Sequence, residues 1–182
     1  MQPGFCDVVA AYWEDMPTSL RYDRAIAAGT SRRAAGLFLC SNLPYLLLGL
    51  LFSCAPRMRL PHGWVCSRRE LYVVLSVIMF AVSLLMHMSQ LQCCGCHGMR
   101  RSWLVWLKQA DVVCVLTMIA TPMVCDGSLV PAGYMVPCLP LLVLSQHYKK
   151  EGCVRDYLLW HSLWHVATAA AAAWFVAQHW LA

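Results

Sequence analysis

Two histidine-containing motifs stand out in otherwise apolar stretches of the sequence. His161 and His165 lie four residues apart in "DYLLWHSLWHVATAAAAAWF", and Ser83 and His87 have the same spacing in "FAVSLLMH". Side chains at positions i and i+4 share one face of an α-helix. Three neutral imidazoles that leave a fourth coordination position open form a common catalytic zinc site. The sequence therefore makes His87, His161 and His165 candidate zinc ligands.

Asp111 is an acidic side chain inside a third apolar stretch. An aspartate within a bilayer costs at least ~2.5–3.5 kcal/mol, so such a group normally faces other polar groups inside a bundle. Beside zinc, Asp111 could hold or deprotonate a water molecule or orient a histidine ligand. Ser83 could donate a hydrogen bond to a ligand or to a developing oxyanion. We take Asp111 and Ser83 as candidate catalytic residues; the alternative for Asp111 is a structural pairing with Lys108 near the membrane surface.

The elements that must position these residues are membrane helices. Sixty per cent of the 182 residues are apolar and 13% are charged, whereas soluble proteins average about 45–50% and about 25%. A helix needs about 20 apolar residues to cross a hydrocarbon core. The predicted fold is an all-α integral membrane protein, a bundle of about five transmembrane helices. A polar N-terminal tail, 1–33, precedes a multi-pass membrane domain, 34–181, with helices at about 34–54, 71–91, 103–124, 128–146 and 157–181.

The fourth apolar run is the least regular of the five. It carries Pro131, Pro137 and Pro140, and proline inside a helix removes a backbone N–H and clashes with the preceding turn. We expect this run to be kinked or divided into shorter helices.

Helix direction places the candidate residues on one side of the membrane. Short connections make successive helices alternate, so helix two ends where helices three and five begin, beside the N-terminal tail. At about 1.5 Å of rise per residue, His87 and His161 lie roughly 6 Å from that side. Ser83, Asp111 and His165 lie roughly 12 Å from it. All five polar side chains are therefore expected at two neighbouring depths.

The distribution of positive charge gives this side an orientation. Cytoplasmic loops carry an excess of Lys and Arg over loops on the opposite side. The side with the candidate site carries Arg21, Arg24, Arg32, Arg33, Arg100, Arg101, Lys108, Lys149, Lys150 and Arg155, and the other side carries Arg57, Arg59, Arg68 and Arg69. We expect the metal site to lie toward the cytoplasmic side of the endoplasmic reticulum, Golgi or plasma membrane, among which the sequence does not choose.

The 11 cysteines do not indicate a disulfide framework. Cysteine inside an apolar helix acts as a small apolar residue, and four lie within or at the edge of predicted helices: Cys40, Cys54, Cys114 and Cys138. The "CCGCH" cluster, with Cys93, Cys94, Cys96 and His97, leaves three interpretations open. The thiols could be free, could be palmitoylated beside the membrane, or could belong to a zinc knuckle.

The net charge of +5 is scattered along the chain. The sequence has no basic stripe with interleaved aromatic residues and no glycine-rich phosphate loop. Nucleic acid is therefore not an expected partner.

The polar motifs, in this order, resemble a superfamily of seven-helix membrane metal-dependent hydrolases. It includes alkaline ceramidases, progestin and adipoQ receptors, and lipid-remodelling factors for GPI-anchored proteins. The chain most resembles the transmembrane protein 8 and myomaker branch over about residues 37–175. "CSNLPYLLLGLL" is similar to its opening helix, "FAVSLLMH" to its S-x-x-x-H helix, "LKQADVVCVL" to its L-Q-x-x-D-F helix, and "DYLLWHSLWHVATAAAA" to its D-Y-x-x-x-H-S-x-W-H ending.

The resemblance implies that the three histidines bind zinc and that Ser83 and Asp111 complete the site. Family members place three helices between the aspartate helix and the final histidine helix, whereas residues 125–156 leave room for one. The chain therefore looks like a reduced version of the seven-helix fold. The branch also often has an aspartate where this chain has Gln90.

Three functions follow as hypotheses. The first is a multi-pass membrane zinc-dependent hydrolase acting on a lipid amide or ester, such as the acyl group of ceramide or a GPI lipid. The second is a non-catalytic membrane protein of the same family, a fusion factor, receptor or scaffold with a structural or vestigial metal site. The third is a small membrane protein whose histidines hold no metal. Membrane lipid is the expected partner, and a homo-oligomer remains open.

Overall fold

The computed structural model describes residues 22–23, 26–54, 68–93, 101–126 and 130–179. This part of the chain is helical and contains no strand. The helices are α1 Arg32–Cys40, α2 Leu43–Cys54, α3 Arg68–Gln90, α4 Arg101–Asp126, α5 Val130–Met135, a 3₁₀ turn at Val136–Cys138, α6 Leu139–Lys150 and α7 Val154–His179. In the CCGCH cluster, Cys94, Cys96 and His97 lie outside the described residues.

A local break separates α1 from α2. The break falls at Ser41 and Asn42, just before Pro44, which has no N–H to donate to a carbonyl four residues earlier. The Ser41 N–H instead donates to the carbonyls of Leu37 and Phe38, at 3.1 and 3.2 Å. Because the helix is interrupted here, the Ser41 side chain can face the interior of the bundle.

The fourth apolar run is divided, as its prolines predict. Helix α5 ends at Met135, the 3₁₀ turn contains Pro137, and α6 begins at Leu139 with Pro140 in its first turn. A proline in the first turn is tolerated because its missing N–H would have no helical partner there. Helix α6 then continues to Lys150, four residues beyond the predicted end.

Two helices end in the same left-handed cap. After α3, Gln92 adopts φ 51°, and the Cys93 N–H donates to Met88 at 3.1 Å. After α6, Gly152 adopts φ 73°, and the Cys153 N–H donates to Tyr148 at 3.0 Å. Together with the shorter bond from each left-handed residue, this pattern is the Schellman motif. It fixes the last turns of α3 and α6.

Packing at the centre of the bundle is dominated by α2, α3, α6 and α7. Helix α2 packs against α3 and α7, α6 packs against α7, and α4 packs mainly against α3. The apolar core, as we call it, is one cluster of buried residues: Tyr45, Leu48, Phe52, Tyr72, Met79, Met118, Ala169 and Val176. Gly49 permits the close approach of α2 and α3, because a Cβ there would lie 3.3 Å from that of Ser76.

Within the described residues, three helices are long and apolar enough to cross a membrane: Arg32–Cys54, Arg69–Gln90 and Trp103–Thr121. The first treats α1 and α2 as one span. Large apolar side chains on the outer surface, such as Leu47, Trp106 and Val143, are more than half exposed. An exterior of this kind suits lipid and is unusual for a protein surrounded by water. The finer count of five spans stays a prediction.

The N-terminal tail was predicted to be polar and outside the bilayer, and part of it contacts the bundle. Asp23 and Ile26 are buried, and Ile26 packs in a second apolar cluster with Phe38, Leu91 and Tyr157. Most of the tail lies outside the described residues. The described part of the tail places the Asp23 carboxylate at the end of the bundle where the three candidate histidines lie.

Candidate metal centre

Helices α3 and α7 bring the three predicted ligands together. The ligand nitrogens of His87, His161 and His165 all lie within 4.8 Å of one another, and the three side chains are buried. Their ring centroids are 4.7–5.0 Å apart. Phe38 of α1 covers the group, with its ring 4.6 Å from that of His87. We call these three residues the histidine cluster.

A serine at the break between α1 and α2 sets the tautomer of His165. The Ser41 hydroxyl donates to the Phe38 carbonyl at 2.6 Å, so its only proton is used. Ser41 Oγ also lies 3.0 Å from His165 Nδ1 and must therefore accept at that contact. His165 consequently carries its proton on Nδ1, which leaves a lone pair on Nε2.

The same arrangement occurs at His161. The Ser145 hydroxyl of α6 donates to the Leu142 carbonyl at 2.8 Å, and Ser145 Oγ lies 3.2 Å from His161 Nδ1. His161 Nδ1 must then be the donor. Its Nε2 is buried and has no hydrogen-bond partner in the described part of the chain. A buried lone pair of this kind requires an explanation, and a metal ion bound there would supply one.

Gln90 completes the pattern at His87. Gln90 Oε1 lies 3.2 Å from His87 Nδ1, and Gln90 Nε2 donates to Asp23 at 3.0 Å. An amide oxygen only accepts, so His87 Nδ1 is the donor. All three histidines therefore keep a lone pair on Nε2, and each ring is held by a hydrogen bond at Nδ1. This is the usual outer support of histidine metal ligands.

The spacing of the lone pairs fits a metal ion. His87 Nε2 and His165 Nε2 are 3.3 Å apart, and two lone pairs facing each other at that distance repel unless a cation lies between them. Zinc–nitrogen bonds of about 2.0–2.1 Å in tetrahedral geometry put two ligand nitrogens about 3.3–3.4 Å apart. A shared proton would satisfy only two of the three nitrogens. The three residues could therefore hold a metal ion.

The structure connects the two candidate catalytic residues to each other. Ser83 is buried on α3, one turn before His87, and its side chain lies within reach of the Asp111 carboxyl group on α4. A carboxylate only accepts, so Ser83 is the donor toward Asp111. Lys108, one turn earlier on α4, is also buried. Asp111 thus lies on the helix that faces the His87 turn, while its catalytic role stays a prediction.

An outer network lies beyond Gln90: we use this name for Asp23, Gln90, Lys149 and Tyr157. Lys149 of α6 forms an ion pair with Asp23, and its ammonium group lies 5.6 Å from the centre of the Tyr157 ring. The Tyr157 hydroxyl contacts both amide atoms of Gln90, at 2.8 and 3.0 Å. All four side chains are buried. The network links the N-terminal segment to the histidine cluster.

Sequence reasoning did not identify the residues that support the histidines. Ser41 and Ser145 were not candidates, although both are polar residues in apolar runs, and Ser145 lies within two turns of the end of α6. Depth alone could have suggested Ser145. Asp23 and Lys149 carry no comparable signal, because their pairing joins residues 126 positions apart.

An apolar pocket lies deeper in the bundle than the histidines. Met79 of α3, Met118 of α4, and Trp164 and Thr168 of α7 are among its lining residues. The Thr168 hydroxyl lies 3.0 Å from the hydroxyl of Tyr45, which also lines the pocket and whose ring contacts that of His165, with centroids 5.6 Å apart. The pocket therefore borders the histidine cluster on the side that faces the apolar core.

Comparison with known proteins adds no assignment to this geometry. No family model, no curated protein and no solved structure matches the chain.

Proposed function

We propose that this protein binds a zinc ion through His87, His161 and His165 and acts as a membrane hydrolase of a lipid amide or ester. The observation that carries the proposal is the set of three buried imidazoles whose Nδ1 atoms are engaged and whose ligand nitrogens lie within 4.8 Å of one another. Such a set is costly inside a membrane bundle unless a cation stabilises it. The fit of the 3.3 Å contact to a tetrahedral ligand pair favours a metal over a proton.

The chain's own residues would divide the work around the metal. Zinc, when bound, would supply Lewis-acid chemistry that polarises an acyl carbonyl and acidifies water. Asp111 would receive a proton on its carboxylate and return it to the leaving group. Ser83 would hold the Asp111 carboxylate in place through its hydrogen bond. The aspartate thus supplies the acid–base function that three neutral histidines lack.

A lipid substrate is supported by the surroundings of the cluster. The apolar pocket next to Tyr45 and Trp164 could take part of an acyl chain, and the outer surface of the bundle suits lipid. We propose five transmembrane spans, in which α5 with α6, and α7, add to the three apolar ones. The site would then face the cytoplasmic side.

The metal is tested first, by elemental analysis of protein purified in detergent and exposed to zinc. We expect about one zinc per chain for wild type and a loss of most of it for His161→Ala. His147→Ala is the matched control, because His147 is an exposed histidine on α6. Equal zinc content in wild type and His161→Ala would remove the metal site.

The reaction is tested by release of free fatty acid from ceramide and from GPI lipids in reconstituted vesicles. Loss of a general acid–base group typically lowers a rate by about 10²–10⁴-fold, so we expect Asp111→Asn to lose hydrolysis while keeping zinc. Thr117→Val is the control on the same helix, since in the described structure the Thr117 hydroxyl donates to the Val113 carbonyl of its own helix. Hydrolysis that survives Asp111→Asn would exclude Asp111 from the mechanism.

A second candidate function is a non-catalytic membrane protein with a structural metal. The observation in its favour is the burial of the cluster: His87, His161 and His165 are 1%, 8% and 2% exposed. A structural site is closed, whereas a catalytic one keeps a position open to substrate. In that case chelation would lower the unfolding temperature, and no vesicle lipid would be hydrolysed by the zinc-loaded protein.

A further inference from the structure

We propose that Asp23 and Gln90 are positioning residues that hold His87 in its metal-binding tautomer, an inference that rests on the proposed zinc site. Two hydrogen bonds in series carry it. Gln90 Nε2 donates to Asp23 Oδ1 at 3.0 Å, and His87 Nδ1 donates to Gln90 Oε1 at 3.2 Å. The N-terminal segment thereby acts on a ligand of α3 through one amide.

The orientation of the Gln90 amide decides where the His87 proton lies. If the amide turned over, its NH₂ group would face His87 Nδ1, and that nitrogen would have to accept. The imidazole proton would then move to Nε2 and block the lone pair that a metal needs. At His161 and His165 the position of the ring proton is not ambiguous in this way, because the supporting serine donates its own proton to a backbone carbonyl.

Asp23 is the group that prevents this reversal. A carboxylate only accepts hydrogen bonds, so the Gln90 atom that faces Asp23 must be the NH₂ group. Tyr157 does not determine the orientation of the Gln90 amide, because its hydroxyl can donate and accept and contacts both amide atoms. Of the groups around Gln90 in the described structure, Asp23 therefore fixes the orientation.

Lys149 keeps Asp23 in place. The two side chains form an ion pair in which Lys149 is 3% and Asp23 8% exposed, and Lys149 also lies over the Tyr157 ring. A buried carboxylate without a partner would be expelled or neutralised. The pair anchors residue 23, which precedes α1, against the end of α6.

The amide has a chemical advantage over a direct carboxylate. Gln90 is neutral, so it supports the neutral imidazole that binds a metal while the charge of Asp23 stays one residue further away. The charge is balanced there by Lys149. His87 is thus oriented by a chain that ends in an ion pair, without a carboxylate in direct contact.

The test exchanges the amide and the carboxylate. Gln90→Glu alone would face two carboxylates toward each other, and Asp23→Ala would free the amide to turn. The double variant Gln90→Glu/Asp23→Asn reverses the pair: the new amide donates to the new carboxylate, which still accepts from His87. We expect zinc affinity, measured by competition with a chelator, to fall roughly 10–100-fold in each single variant. In the double variant it should return to within a few-fold of wild type.

A second measurement makes the outcome independent of the metal. In zinc-free protein, ¹⁵N chemical shifts of labelled histidine report which nitrogen carries the proton. We expect His87 in wild type to be protonated at Nδ1, and in Asp23→Ala to populate the Nε2-protonated form. Ser89→Ala is the control, because Ser89 is buried beside Gln90 and, within the described residues, its hydroxyl donates to the Leu85 carbonyl of its own helix.

Two results would overturn the proposal. An unchanged His87 tautomer in Asp23→Ala would remove Asp23 from its role, and a double variant as weak in zinc binding as the single ones would show loss of packing instead. If wild type binds no zinc but its His87 tautomer depends on Asp23, the positioning stands and the proposed hydrolase fails.

Discussion

The two ends of the bundle are built on different principles. At the histidine end, each Nδ1 of the histidine cluster has a partner, and Asp23 and Lys149 pair out of contact with water. At the other end, the apolar core relies on close packing, as at the Gly49 contact with α3. There the Ser76 hydroxyl is fully buried and has no hydrogen-bond partner in the described structure.

The difference indicates which end has a role beyond folding. Packing between apolar side chains suffices to associate helices in a membrane, and the buried Ser76 hydroxyl is tolerated there. Buried ionisable groups are expensive in the same setting. Their concentration at the histidine end, where each Nδ1 of the histidine cluster has a partner and the Nε2 lone pairs are left for a cation, is what a metal site requires.

The largest effect is expected at the ion pair of the outer network. Lys149→Met leaves the buried Asp23 carboxylate with the hydrogen bond from Gln90 but without a compensating charge. Breaking a buried ion pair in this way typically costs about 3–5 kcal/mol of unfolding free energy. Lys150→Met is the control, because Lys150 is the exposed neighbour on α6. Denaturant or thermal unfolding in micelles would measure the difference.

A double variant sharpens this prediction. Asp23→Leu/Lys149→Met removes both charges, and replacing a buried pair by apolar residues is often neutral or stabilising. We expect stability to recover while zinc affinity stays low, since Gln90 no longer has its acceptor. Recovery of both properties would show that the outer network is only structural.

At the apolar core we expect a smaller effect that does not depend on zinc. Phe52→Ala removes a buried ring that stacks on Tyr72, with centroids 5.0 Å apart. In lipid the transfer contribution largely disappears, and the cavity cost of about 24 cal/mol per Å³ leaves roughly 2 kcal/mol for a void of about 100 Å³. The unfolding free energy should fall by the same amount with and without zinc. A zinc-dependent loss would mean that the two ends are coupled.

Local sequence signals predicted the helices well. Each predicted apolar run overlaps helices of the described structure, and the prolines at 137 and 140 predicted the division of the fourth run. The count of five transmembrane helices stays a prediction. Helix α7 begins at Val154, three residues before the predicted start, because Asp156 lies in a first turn that favours acidic side chains. The sequence prediction assigns this first, polar turn of α7 to the connection between α6 and α7.

The candidate site was predictable only in part, for a physical reason. The histidines repeat at helical spacing and share a depth, so their convergence follows from the periodicity and direction of the helices. Support by Ser41 depends on a helix break, and support by Asp23 depends on a contact between the tail and α6. Neither leaves a periodic signal in the sequence. Zinc and hydrolysis remain predictions.

The smallest effect concerns the caps that end α3 and α6 near the outer network. Gln92 adopts a left-handed conformation in which a side chain costs about 1 kcal/mol, whereas Gly152 occupies the equivalent position without that cost. We expect Gln92→Gly to raise the unfolding free energy by about 0.5–1 kcal/mol and Gly152→Ala to lower it by a similar amount. No atom lies within 4 Å of a Cβ at position 152, so the second change reports the backbone alone. Thermal unfolding compares the two, and zinc affinity should be unchanged in both. A Gln92→Gly variant that is less stable than wild type would contradict this expectation. The Gln92 side chain would then stabilise the end of α3, and with it Gln90, by more free energy than its left-handed backbone costs.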